Sequence, residues 1–198
     1  MALTRLNNNA IGETITAAKG GTGVTSADNI GNLVLLSTAT ASSGDQYITF
    51  DLSSSYDNYI IKGHSIKPAT DGVEPYMGMS TDGGSNYSTD SFYSGRSYVK
   101  VTTSTASGAE RGTISGAVRF ATDLGNDGEG SCTINLYGMN NSSNKFGDTT
   151  WTAKHQADDY TWDTGFILTS NSAINNIRLY FSSGNYTSGT FSLYGVKS

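Results

Sequence analysis

The chain has 198 residues, a formal charge of -5 and only 15% charged side chains. Its twelve Lys and Arg residues are scattered singly, which excludes general binding to a nucleic-acid backbone, since binding the phosphates needs a basic patch. Twenty-four glycines and twelve tyrosines against two prolines read as short strands joined by Gly, Asn and Asp turns, and exclude a disordered chain.

Residues 1–32 contain no aromatic side chain and include AAKGGTGVTSADNIGN, the composition of an extended linker. We read 1–32 as a docking arm or linker, a disordered tail being the other reading of the same composition, and 33–198 as the β-sandwich domain. The residues Ser26–Ile30 allow a short helix inside the arm, with Ser26 as its cap, but do not require one. Gly20-Gly21-Thr22-Gly23 precedes no Lys-Ser/Thr pair, so it reads as a hinge and not as a phosphate loop. The start MALTRLNNNAIGE lacks an apolar signal core, and no run is long enough to span a membrane. Synthesis in a cytoplasm, with no membrane partner, is the expectation.

From Leu33 the pattern becomes strand-like. Ile48, Phe50 and Leu52 alternate with Tyr47, Thr49 and Asp51. The same period of two recurs at Val99/Val101, Val118/Phe120, Cys132/Ile134/Leu136, Ile177/Leu179/Phe181 and Phe191/Leu193. Turn-formers separate these runs: Thr70-Asp71-Gly72, Thr81-Asp82-Gly83-Gly84, Gly125-Asn126-Asp127-Gly128 and Ser182-Ser183-Gly184-Asn185. Such spacing predicts a sandwich or barrel. Each strand offers only two or three inward residues, so two sheets must face each other across ~10 Å. The expected core is Phe50, Leu52, Ile61, Val118, Phe120, Ile134, Leu136, Phe166, Leu168, Ile177, Leu179, Phe181, Phe191 and Leu193. A second, Tyr/Thr/Ser-rich face suits a subunit contact or a flat binding surface.

Chemistry-bearing motifs are sparse. Cys132 lies in a strand-like run and reads as a small buried hydrophobe. His64 reads as a strand residue; His155, near Asp158 and Asp159, does not have recognised metal-ligand spacing. Asp123, Asn126, Asp127 and Glu129 share one loop but not the EF-hand order. No nucleophile elbow is present. A free carbohydrate-active enzyme would need a carboxylate pair across a cleft, and no segment nominates one. The expectation is therefore a protein that is not an enzyme, with no metal or cofactor. Aromatics are the better signal, because sugar rings stack on exposed aromatic faces. Tyr76, Tyr87, Phe92, Tyr93 and Tyr98 crowd one Gly/Ser-rich stretch, and Tyr160 and Trp162 form a second group. These seven are the candidate glycan or receptor surface, centred on a long loop at 80–98.

The pattern Tyr56-Asp57-Asn58-Tyr59-Ile60-Ile61, Pro68-Ala69-Thr70-Asp71-Gly72 and Met79-Ser80-Thr81-Asp82-Gly83-Gly84-Ser85 resembles a family of tailed-bacteriophage virion structural proteins of tail-fibre, minor-tail or decoration type. So do Ile177–Asn185 and Ser188–Gly195, and the GGTG segment is similar to those of phage fibre chains. The resemblance covers about residue 45 to the end. It implies a jelly-roll-like antiparallel β-sandwich with an extended N-terminal arm, forming a homotrimer. Residues 1–32 would dock on other virion proteins and a host surface glycan would be the ligand. A small tail appendage fits the length better than a long fibre, with a capsid decoration or head-fibre protein as the alternative. Either role places the protein in the virion.

Overall fold

The computed structural model describes residues 32–88, 90–101, 107–155 and 158–197. The expected docking arm and the Ser26–Ile30 segment lie outside them. The described residues form twelve strands and no helix: Leu33–Ala41 (β1), Ile48–Asp51 (β2), Asn58–Pro68 (β3), Pro75–Ser80 (β4), Ser91–Lys100 (β5), Ser107–Ser115 (β6), Val118–Arg119 (β7), Gly130–Tyr137 (β8), Lys145–His155 (β9), Asp158–Leu168 (β10), Asn176–Phe181 (β11) and Tyr186–Val196 (β12). Residues 80–98 are therefore only half a loop, because β5 takes over at Ser91.

The strands make two antiparallel sheets, ordered β1-β12-β3-β8-β9-β10-β5-β6 and β2-β11-β4-β7. Two hairpins, β5–β6 and β9–β10, are insertions into a simpler body. Without them, eight strands remain, and in chain order they lie 1-8-3-6 in one sheet and 2-7-4-5 in the other. That is the two-Greek-key order of a jelly roll. The chain is an all-β, jelly-roll-like antiparallel sandwich, as expected. The hairpins then pair with each other through β10 and β5, from Tyr160 opposite Lys100 to Leu168 opposite Phe92. One sheet thus grows to eight strands while its partner keeps four.

The period of two sets this arrangement. Along β8 buried and non-buried residues alternate without a break, and along β2 Ile48 and Phe50 are buried between exposed neighbours. All fourteen residues expected in the core are buried. Each such side chain contributes roughly 1.5–3 kcal/mol relative to exposure. Val99 and Val101 share the alternation but face out, 54% and 61% exposed. The turns follow their chemistry too. Gly83 and Gly84 have φ of 72° and 84°, a left-handed conformation that is strained for any residue with a Cβ. Asp82 braces that turn, accepting bonds from the Asn86 amide, the Asn86 side chain and the Ser80 hydroxyl.

Two polar devices are built into the apolar layer. The Tyr59 ring is buried, and its hydroxyl lies against the Ser53 and Tyr56 carbonyls. Lys145 is fully buried, yet its ammonium donates to the carbonyls of Asn141, Ser143 and Ser170. It thereby ties the β8–β9 turn to the segment after β10.

Candidate functional site

The mismatch between eight strands and four creates the surfaces of interest. The four-stranded sheet ends at the two-residue β7, which reaches only part of β5, so most of the inner face of β5, β6 and β10 has no strand opposite it. Residues 117–124 fill most of that space. Phe120 stacks on Trp151 with ring centroids 6.2 Å apart and lies 6.5 Å from Phe166. Its carbonyl accepts the buried Thr164 hydroxyl at 2.9 Å. Leu124 is buried and bonds backbone to backbone with Val73.

Where this cover ends, a cleft of about 220 Å³ remains, lined by Tyr98, Glu110, Thr122, Asp123, Tyr160 and Trp162. Tyr160 stacks on Trp162 at 5.5 Å and meets Tyr98 at 6.1 Å. Asp123 is placed there by a backbone with φ of 50°, uncommon for a residue other than glycine. Glu110 belongs to a charge network that crosses between the sheets. It pairs with Arg96 and lies 3.7 Å from Arg119, which reaches Glu74 at 2.6 Å, and Glu74 accepts the Tyr76 hydroxyl. The hydrogen bond from Arg96, more than the charges of Arg96 and Arg119, holds the Glu110 carboxyl below the usual range. Burial first, and then the bond it donates to the Glu74 carboxylate, push the Tyr76 hydroxyl up to about 12. The cleft thus offers ring edges, a stacked aromatic floor and an ionised acceptor.

A second surface is the outer face of the eight-stranded sheet. Tyr137, Phe146, Ile167 and Tyr93 stand directly opposite one another on β8, β9, β10 and β5, all between 37% and 51% exposed. Beside this row lies an open depression of about 850 Å³. Its floor includes Gly165 and Gly95, which are register partners. A third aromatic group covers the outer face of the small sheet. The Arg178 guanidinium lies 3.9 Å from the Tyr87 ring centre and 5.0 Å from those of Tyr47 and Tyr180. Tyr76 stacks on Tyr180 at 5.6 Å.

The seven aromatics expected to form one recognition surface are thus divided among four settings. Tyr98, Tyr160 and Trp162 meet at the cleft, although Trp162 is only 1% exposed and presents an edge of its environment, not a free ring face. Tyr76 and Tyr87 belong to the Arg178 group, where Tyr87 also donates to Asn176 and latches the 81–88 loop to β11. Tyr93 stands exposed in the outer row. Phe92, its neighbour in sequence, is fully buried in the core and cannot meet a ligand, because adjacent strand residues point to opposite faces. Tyr137, Phe146 and Ile167 were not anticipated. Tyr137 follows the core residue Leu136 and Ile167 lies between Phe166 and Leu168, whereas Phe146 stands between buried Lys145 and Gly147; only the cross-strand register brings the three into a row.

The other motifs are accounted for as follows. His64 is exposed on the outer face of β3. His155 closes β9, and Asp158 is paired with Lys100 at 2.5 Å. In the acidic turn, the Asn126 amide bonds to Asp71 at 3.3 Å. Among the described residues no three His, Cys, Asp or Glu side chains converge as a metal site. Cys132 is buried, and burial pushes its thiol up to about 12.

No family model matches this sequence. No curated protein matches it either. A solved structure with some likeness is an alginate lyase from Pseudomonas aeruginosa. It is 14% identical over 68% of this chain and 65% of that chain, with a TM-score of 0.22. The match spans less than two thirds of the lyase. That finding is a likeness to an enzyme, so the expectation that this chain is not an enzyme is withdrawn. At this score the likeness carries no reaction, substrate or residue role to this chain.

Proposed function

We propose that the chain is a structural protein of a tailed-phage particle, a small tail fibre or tail appendage acting in attachment and assembly. The resemblance carried by residues 56–85 and 177–195 supports this reading, and so does the jelly-roll topology, which closes a compact body suited to repeated copies. A host surface glycan would be taken at the cleft of Tyr98, Tyr160 and Glu110. The observation that carries this part is the convergence there of two half-buried tyrosines with ionised Glu110. Rings take the apolar face of a sugar and a carboxylate takes its hydroxyls.

The experiment is binding of purified protein to host cells and to an array of host glycans. Tyr160→Ala removes one stacking ring and should weaken binding by roughly fivefold, in line with ~1 kcal/mol for an aromatic contact. Tyr47→Ala, on the opposite sheet, should leave it unchanged. Absence of the protein from purified particles by quantitative mass spectrometry would overturn the virion assignment. A copy number in the hundreds would point to a capsid decoration protein in place of a tail appendage.

A further inference from the structure

The outer face of the eight-stranded sheet carries apolar groups that no part of the described chain covers. The row Tyr137, Phe146, Ile167 and Tyr93 stands out on it, and Leu35 on β1 and Val99 farther along β5 are 56% and 54% exposed on the same face. That row forms a ridge across four neighbouring strands. The next row on the same face runs Asp148, Gly165, Gly95 and Arg111 by direct register. A Cβ placed on Gly165 or Gly95 would meet nothing within 4 Å. A trough therefore lies alongside the ridge, and hydroxyl-bearing side chains bound its far side: Thr133, Thr150 and Ser97, with Asp163 held by Thr150 at 2.8 Å.

Size and charge identify what this face fits. Eight strands ~4.8 Å apart and roughly nine residues long give a face of about 34 by 30 Å, or about 1,000 Å². That exceeds the ~800 Å² each partner contributes to a stable protein complex. On this face Lys62, Lys67, Lys154 and Arg111 stand among Asp148, Asp159 and Asp163, so its strands are within one charge of neutral in a chain of charge -5. A nearly neutral face does not repel its own copy, whereas the rest of the surface does. Packed sheets need side chains of one to fill gaps in the other. A two-fold contact supplies both at once if ridge and trough lie side by side on one surface.

We propose that a second copy of this chain docks face to face on the outer surface of the eight-stranded sheet, the ridge of each copy entering the trough of the other. The inference stands on the surface alone and does not depend on the virion reading.

Sedimentation velocity of the full chain over a wide micromolar range tests it. The wild type should self-associate. Gly165→Leu fills the trough where the monomer has open space, and Phe146→Glu places a charge on the ridge. Each should weaken association by roughly tenfold or more with an unchanged melting curve. Tyr47→Glu, on the small sheet, should leave association intact. A wild type that stays monomeric overturns the proposal, and so does an oligomer that persists unaltered in both folded variants. If the wild type is monomeric and a polysaccharide shields Tyr93 and Tyr137 from chemical labelling, the face serves a saccharide and the proposal fails. Any of these results leaves presence in a particle to be judged by its own measurement.

Discussion

Asp82 shows how one side chain can hold a turn through its ionisation. Three donors surround its carboxylate, first the Asn86 backbone amide, then the Asn86 side chain and the Ser80 hydroxyl. They pull its pKa from 3.8 down to about 2. The folded-state value is depressed, so its support for the turn is fully present above the unfolded value. It is lost as pH falls through about 2. Amide exchange in the 81–88 loop, corrected for intrinsic rates, should therefore accelerate between pH ~4 and ~2. Asp82→Asn should abolish that pH dependence. The Thr81–Gly84 turn was legible in the sequence because Gly and Asp have few alternatives there. The Tyr87 latch was not, since its partners Asn176 and Arg178 are distant in the chain.

Strands were legible where one face is covered by another sheet. Phe50, Ile134 and Leu193 are found inside because strict alternation in a two-sheet body leaves them no other place. The β9–β10 hairpin follows the same rule, with Trp151, Trp162, Phe166 and Leu168 inside, but in the β5–β6 hairpin the period of two carries a largely polar inner face. The inward set of β5 is Phe92, Ser94, Arg96 and Tyr98, since beyond β7 the sheet faces a loop and a charge network. Val99 and Val101, apolar and alternating, consequently point outward. Periodicity reports that a strand has two faces; register and neighbours decide which is buried. Arg96 also makes a prediction for this element. Its side chain is 5% exposed and depends on Glu110 of β6. Glu110→Ala orphans a buried guanidinium and should cost about 1–3 kcal/mol. Arg96→Met removes the charge itself and should cost less. Urea denaturation midpoints of the two variants should rank in that order.

At the scale of the molecule, two facing sheets were within reach of the alternation and a jelly roll was implied by the resemblance, but the strand order and the enlargement of one sheet were not legible. The hairpins come from separate places in the chain, and nothing in either announces that β10 will pair with β5. That pairing opens the cleft on one side and spreads the ridge and trough on the other. The candidate site was therefore only partly readable: the aromatic residues could be named, but not their division among cleft, core and open faces.

The position of β12 has a consequence for how the protein is made. It is the last of the twelve described strands, yet it lies between β1 and β3 and hydrogen-bonds to both. An emerging chain can lay down every other strand and still lack the one that joins its first strand to the rest. Native structure must then wait until β12 has emerged, with β1 and β3 exposing unpaired edges in the meantime. A chain ending at Phe181 should remain protease-sensitive throughout, β1 included. Arrested nascent chains should gain resistance only once Val196 has cleared the ribosome.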